Sequence, residues 1–382
     1  MKCKAVFDKI DELNDRYVDF WQEVCEIESK SSDKEGVDAV GRYFIDHVKE
    51  FGWKVDIFPQ KVSGDAVCIT MNPCASKEPV VFSGHIDTVH PRGLFGYPAV
   101  KRDVKKMYGP GVTDCKGGVV SSLLAMVALE KCGYRERPVK LVLQSDEEVS
   151  SLTSGKATVE FMAECAKGCA AFLNCEPHTT GEIVIRRKGI IRFILEITGK
   201  SVHSSICYEG INAIHEAAYK IIEIEKFKDK DGITANCGVI EGGTVANTVP
   251  EKCIITVDVR FADSEQLEYI KNEIQKIADT SYIEGTSCEL RVKSFRVSMD
   301  KSEANDRLLE RISEIFDRNG LEHVEACSSN GGADASDMTS RGITTVDCLG
   351  VRGGMIHSKD EYAYIASLAE SAKMLAAIAI EI

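Results

Sequence analysis

Between residues 54 and 174 short apolar runs alternate with helical stretches, and that alternation limits the fold more than any other feature of the chain. The runs 54–58, 66–71, 79–84, 139–144 and 170–174 read as strands, and 117–131 and 156–165 as helices. Strands separated by helices in this way point to an α/β domain, a largely parallel sheet with helices on both faces. Two amphipathic helices are expected before it, over 4–29 and 34–52, the second behind the polar stretch Ser31-Ser32-Asp33.

The pattern changes near Gly181. A long β-branched run covers 182–198, followed by a helix over 211–227, strands over 233–241 and 253–260, a helix over 264–280 and a strand over 288–297. This β-α-β-β-α-β order is the ferredoxin-like arrangement. A helix at 304–318, a Gly-rich loop at 328–336, a strand at 344–348 and a last helix at 361–380 complete the chain. The expected architecture is one discontinuous sheet domain, residues 1–181 and 297–382, interrupted by an inserted domain over 182–296.

Composition narrows the partners. The chain of 382 residues is 44% hydrophobic and 28% charged, a soluble globular balance with enough length for a large core. It has no run of about 18 apolar residues, and its start lacks the apolar stretch of a signal peptide, so no membrane partner is expected. The 60 acidic and 47 basic side chains leave a formal charge of −13, which argues against nucleic acid and anionic lipid. Fifteen cysteines without a C-x-x-C pair suit a reducing, cytoplasmic setting and small buried hydrophobes. Cys165 and Cys169, four apart, fit one helix face as well as a metal site.

Four segments at expected strand ends concentrate chemistry. Gly84-His85-Ile86-Asp87 places an imidazole and a carboxylate two residues apart, on one side of an extended chain. There Asp87 could orient His85 or a metal that His85 holds. Gly109-Pro110-Gly111-Val112-Thr113-Asp114 is a tight turn ahead of a helix, with Asp114 where a helix cap would stand. Gln144-Ser145-Asp146-Glu147-Glu148 sets three acids at the end of an apolar strand, where they repel unless cations or protons separate them. Asn174-Cys175-Glu176-Pro177 repeats the theme with one carboxylate. A loop histidine, His357, follows Gly353-Gly354. Each segment alone has a local structural explanation. Together they offer imidazoles and carboxylates suited to zinc, manganese or cobalt. Spacing alone does not separate Glu147 from Glu148 as a general base.

The ordered set His85-x-Asp87, Asp114, Glu147-Glu148, Glu176 and His357 resembles the M20 family of dinuclear zinc peptidases and deacylases. The likeness covers nearly the whole chain. It extends to Gly199-Lys200-Ser201-Val202-His203-Ser204, Asn247-Thr248-Val249-Pro250, Asp258-Val259-Arg260 and Asn330-Gly331-Gly332-Ala333. Two divalent ions are implied, zinc foremost and cobalt or manganese as alternatives. Asp114 would bridge them, with a cis peptide often following it. His85 and Glu176 would complete one ion, Glu148 and His357 the other, and Asp87 would orient His85. Glu147 would be the general base acting on a metal-bridging water. His203 would donate to the oxyanion, and Arg260, Asn247, Gly331 and Gly332 would hold the substrate carboxylate. The inserted domain would serve as lid and dimerisation surface, giving a homodimer.

The activity so implied is hydrolysis of the amide bond in a small peptide or N-acyl amino acid. Val202-His203-Ser204-Ser205 and Cys348-Leu349-Gly350 lean toward the glutamate carboxypeptidase branch and release of a C-terminal Glu or Asp. An N-acyl amino acid deacylase is the alternative, and a catalytically inactive binding protein on the same fold is a third reading. His47, His90, His178, His215 and His323 have no evident acid partner in the sequence and are set aside. A thiol ligand at Cys115 would be unusual in such a family.

Overall fold

The computed structural model describes residues 3–382, which form two compact units. The first comprises residues up to Ile185, Lys301–Ser328 and Ala333–Ile382; the second comprises Arg186–Asp300 and Ser329–Gly332. The short segment Ser329–Gly332, which carries Gly331 and Gly332, therefore packs with the second unit rather than with the chain on either side of it.

The first unit is built on a six-stranded sheet. Its order is Lys54–Phe58, Ala66–Met71, Val139–Gln144, Val80–His85, Ala171–Asn174 and Thr345–Val346. Alternation along each strand sends side chains to two cores. Val80, Phe82, Leu141, Leu143 and Leu173 face the helices Cys3–Glu26, Lys116–Lys131 and Ser367–Glu381. Cys68, Val81, Val142 and Phe172 face Ala157–Ala166 and Asp334–Thr339 through Val159, Met162 and Met338. The helix Cys3–Glu26 buries Val6, Ile10, Leu13, Tyr17, Trp21 and Val24, one stripe at helical spacing. The helix Lys116–Lys131 is buried on nearly every side, because it lies between that stripe, the last helix and the sheet.

The sheet is mixed rather than largely parallel. Val80–His85 runs parallel to both Val139–Gln144 and Ala171–Asn174, and Thr345–Val346 continues this parallel half. Lys54–Phe58 and Ala66–Met71 instead form an antiparallel pair whose second strand runs antiparallel to Val139–Gln144. A direct connection without a helix allows that return. In the parallel half, His85 stands opposite Gln144 and Ser83 opposite Asn174. Three neighbouring strands thus end at one edge, and the loops beyond them carry Asp87, Glu147, Glu148 and Glu176.

In the second unit the elements Gly189–Thr198, Ala213–Ile224, Thr234–Gly242, Lys252–Phe261, Ser264–Asp279 and Ser287–Arg296 follow in β-α-β-β-α-β order. The strand order is Thr234–Gly242, Lys252–Phe261, Gly189–Thr198, Ser287–Arg296, with every pairing antiparallel. Ile191, Phe193, Leu195 and Ile197 pack with Ile255, Val257 and Val259 against Ala217, Ile270 and Ile274 of the two helices. Period two leaves Arg192, Asp258 and Arg260 on the opposite face.

Three expectations need correction. The run 182–198 is two strands, Glu182–Arg187 and Gly189–Thr198, in different sheets. Lys188 breaks it, turning inward to donate to the carbonyls of Lys230 and Gly232, both at 2.7 Å. A Cβ on Gly189 would lie 2.1 Å from the Phe261 ring, so only glycine permits the chain to pass there. The last helix begins at Ser367, not 361, because Tyr362–Tyr364 is a strand. That strand joins Gly353–Gly354, Lys106–Tyr108 and Lys101–Arg102 in a small sheet too short for any periodicity to announce. The first two helices also stop earlier than expected, at Glu26 and Val48.

Candidate metal centre

His85 closes the strand Val80–His85 and is buried. Its Nδ1 lies 3.0 Å from the Asp87 backbone oxygen and 3.4 Å from Asp87 Oδ1. Placing the proton on Nδ1 leaves the Nε2 lone pair for a ligand. Nε2 lies 3.0 Å from Asp114 Oδ1 and 3.8 Å from Glu176 Oε1. Burial opposes a charged imidazole, yet hydrogen bonds to Asp114 and Asp87 hold His85 well above the ordinary histidine range.

Asp114 follows the tight turn at Gly111, whose φ is +70°, and the Asp114–Cys115 peptide is cis. Its second oxygen, Oδ2, lies 3.1 Å from His357 Nε2. Burial alone would raise this carboxylate, but hydrogen bonds from His357 and His85 pull it below the usual range. His357 Nε2 also meets Glu148 Oε2 at 3.0 Å. Bonded to two acids, the His357 imidazole is pushed up to about 10, while burial pushes Glu148 up to about 7. Glu176, buried beyond the strand Ala171–Asn174, is raised well above its ordinary value by desolvation and by the Asp114 charge.

The acids are fixed from behind by Asp87, which is 0% exposed. Its Oδ1 accepts the Glu147 N–H at 3.1 Å, and its Oδ2 accepts the Glu148 N–H at 3.2 Å and the Ser31 hydroxyl at 2.6 Å. One carboxylate thus orients His85 and sets the Glu147–Val149 turn, with Glu147 itself buried. The helix Lys116–Lys131 approaches Glu176 so closely that a Cβ on Gly118 would lie 1.9 Å from the Cys175 carbonyl oxygen.

His85, Asp114 and Glu148 present ligand atoms within 4.8 Å of one another, as do His85, Cys115 and Glu176. Imidazole nitrogens and carboxylate oxygens fit zinc, cobalt or manganese. Once the protons on His357, Glu148 and Glu176 are displaced, three carboxylates around two neutral imidazoles would carry a negative charge that divalent ions can balance. The Cys115 thiol is less suited: burial pushes its pKa well up, and it donates to the Cys175 carbonyl at 3.0 Å.

The remaining candidates lie in the second unit. His203 is exposed and caps the Ser204–Glu209 turn, with Nδ1 2.8 Å from the Ser205 hydroxyl. Asn247 neighbours it, its carbonyl accepting the Ser204 N–H at 2.9 Å. Arg260 donates through Nε to Asp258 at 2.9 Å and through Nη1 to the Asn330 carbonyl at 3.3 Å. Gly331 follows directly, its N–H on Ser329 Oγ at 3.2 Å and its carbonyl on Arg187 Nη1 at 3.0 Å. A Cβ on the adjacent Gly332 would lie 2.7 Å from Arg296 Cδ.

Several residues of the centre escape a sequence reading. Ser31 was visible only as the polar lead to a helix. Lys116, fully buried, donates to the Ile27 carbonyl at 2.7 Å and closes the end of the first helix. His90, set aside for want of an acid, meets Glu361 at 2.9 Å. Away from the centre, His323 likewise finds Asp317 at 3.0 Å, on the surface.

A model of peptidase family M20/M25/M40 matches residues 81–381. The chain belongs to that family. It is thereby a hydrolytic enzyme of the M20 metallopeptidase group, whose members bind divalent metal ions. Carboxypeptidase G2 of Pseudomonas sp. (strain RS-16) is 25% identical over 94% of this chain and 88% of that protein. A probable succinyl-diaminopimelate desuccinylase of Staphylococcus aureus (strain MRSA252) is 26% identical over 74% of this chain and 78% of its own length. The crystal structure of a tripeptidase from Staphylococcus aureus shares the fold, with a TM-score of 0.81 at 21% identity over 96% of this chain and 97% of that one. Among the described residues no helix is long and apolar enough to cross a membrane.

Proposed function

We propose that this M20 enzyme cleaves the amide bond of a small substrate bearing a free carboxylate, in the manner of a carboxypeptidase or dipeptidase. One observation carries the reading. Asp114 turns its two oxygens to two different imidazoles, at 3.0 Å from His85 and 3.1 Å from His357. A carboxylate so placed suits a bridge between two cations. His85 and Glu176 would complete one and Glu148 and His357 the other, with zinc the best match to the donors and cobalt or manganese compatible. When bound, such a pair supplies an activated water and a polarised scissile carbonyl.

The chain's own residues do the rest. Glu147 takes the proton of the attacking water and returns it to the departing nitrogen, a role suited to a buried carboxylate. Asp87 keeps His85 in the required tautomer and fixes the backbone of Glu147. His203 donates to the oxyanion of the tetrahedral intermediate. Arg260, its Nε held by Asp258, grips the substrate carboxylate with its remaining edge, helped by Asn247 and the backbone at Gly331 and Gly332. We read the second unit as a ferredoxin-like lid and the dimerisation surface of a homodimer. The fifteen free thiols suit a reducing cytoplasm.

A substrate panel with a defined metal tests this. Dipeptides ending in Glu or Asp should be cleaved faster than N-acetyl or N-succinyl amino acids. The reverse order would favour a deacylase, the reading supported by the desuccinylase relative. No turnover of any amide, with no gain from added zinc or cobalt, would favour a binding protein.

A further inference from the structure

Glu361 lies four residues beyond His357 and is 1% exposed. A carboxylate so buried must have its oxygens satisfied. Four donors do this. Oε1 accepts the backbone N–H of Thr113 at 2.9 Å and of Asp114 at 3.1 Å. Oε2 accepts the N–H of Gly111 at 3.3 Å and meets His90 Nε2 at 2.9 Å. The main chain adds to the joint: the Gly109 N–H donates to the Glu361 carbonyl at 3.3 Å, and the Thr113 hydroxyl to the Tyr362 carbonyl at 2.6 Å.

We infer that Glu361 is a positioning residue of the metal centre, a buried carboxylate to which three ligand-bearing segments are fastened. Through His90 it holds the segment that starts at His85 and Asp87. Through three amides it holds the turn that ends in Asp114. Through its own place in the chain it anchors the loop of His357. The Asp114 N–H is the decisive bond. It fixes the backbone from which Asp114 must send one oxygen to each imidazole, a division that a modest rotation would destroy. Glu361 touches neither substrate nor metal; it acts through Asp114. The inference rests on the metal reading above and extends it to a residue outside the ligand set.

Glu361→Gln keeps the size but replaces one acceptor oxygen with an amide that cannot accept an N–H. Zinc affinity, measured by competition with a chromogenic chelator, should fall about 10–100-fold, the range for a partner that orients a ligand. At saturating zinc kcat should fall while KM stays within about threefold of wild type, since uniform substrate binding is untouched. Wild-type zinc affinity in folded Glu361→Gln and Glu361→Leu proteins, the second with no acceptor for the Asp114 N–H, would overturn the inference, even if thermal stability dropped, because the role would then be merely structural. Should Glu361→Gln fail to fold, His90→Leu decides. It severs one of the four bonds, and a several-fold loss of zinc affinity supports the inference, while none overturns it. If the wild-type chain binds no divalent ion, the metal reading fails independently of Glu361.

Discussion

In the first unit Asp87 is wholly buried and takes three hydrogen bonds, from Ser31, Glu147 and Glu148, while its neighbour His85 is held between it and Asp114. In the second unit His203 is exposed and its ring bonds only two residues along, to Ser205. Arg260 is intermediate, braced by Asp258 and one carbonyl. The first set has its geometry fixed before any ligand arrives, at the cost of crowded charge. The second keeps polar groups accessible, and under the proposed function a substrate would finish organising them. Substitutions in the two regions should therefore fail differently, the first through metal loading and the second through turnover or KM at full loading.

The largest effect is expected at Asp114. Asp114→Ala removes both shared oxygens, so bound metal and hydrolysis should be lost together while circular dichroism still reports the fold. Glu147→Gln should keep its metal and lose about 10²–10⁴ in kcat, the contribution of a general base. Full turnover there would reassign the base and blur the contrast. His203→Ala should cost about 10²–10³ in kcat, as loss of an oxyanion donor does, with metal content unchanged. Equal loss of metal and turnover would mean that His203 belongs with the first set. Arg260→Gln should act mainly on KM, about tenfold or more for the loss of a charged hydrogen bond worth about 1.5–3 kcal/mol. The smallest effect is a proton count. His357 at about 10 and Glu148 at about 7 carry protons near neutrality, and ligation requires both groups bare. Metal binding at pH 7 should therefore release protons, and apparent affinity should rise with pH. Calorimetry in buffers of different ionisation enthalpy measures this.

The two regions also differed in how legible they were. His85 ends an apolar strand and Glu147, Glu148 and Glu176 stand just beyond apolar strands, so hydrophobic pattern and residue chemistry together pointed at one sheet edge. Asp114 and His357 sit on glycine-rich loops, and only the ordered set gave them meaning. The supports were hidden because they become neighbours through packing alone. His90 and Glu361 are 271 residues apart, and Ser31 and Asp87 are 56 apart. Among the strands, Lys101–Arg102, Lys106–Tyr108, Gly353–Gly354 and Tyr362–Tyr364, of two or three residues each, are too short to show a period. The break at Lys188 was concealed because the β-branched runs Ile183–Ile185 and Ile190–Ile191 lie a few residues to either side of it, and the close pass of Gly189 over Phe261 is a tertiary fact.

The decisive measurement is a metal count on the wild-type chain, purified without chelator and then dialysed against zinc, beside Asp114→Ala treated in the same way. If Asp114 joins two sets of donors, the wild type should hold about two ions per chain, lose amide hydrolysis on chelation and regain it with zinc, while Asp114→Ala holds almost none. A wild-type chain with less than about one ion, and no hydrolysis gained from zinc or cobalt, would contradict a dinuclear hydrolytic centre at His85, Asp114, Glu148, Glu176 and His357.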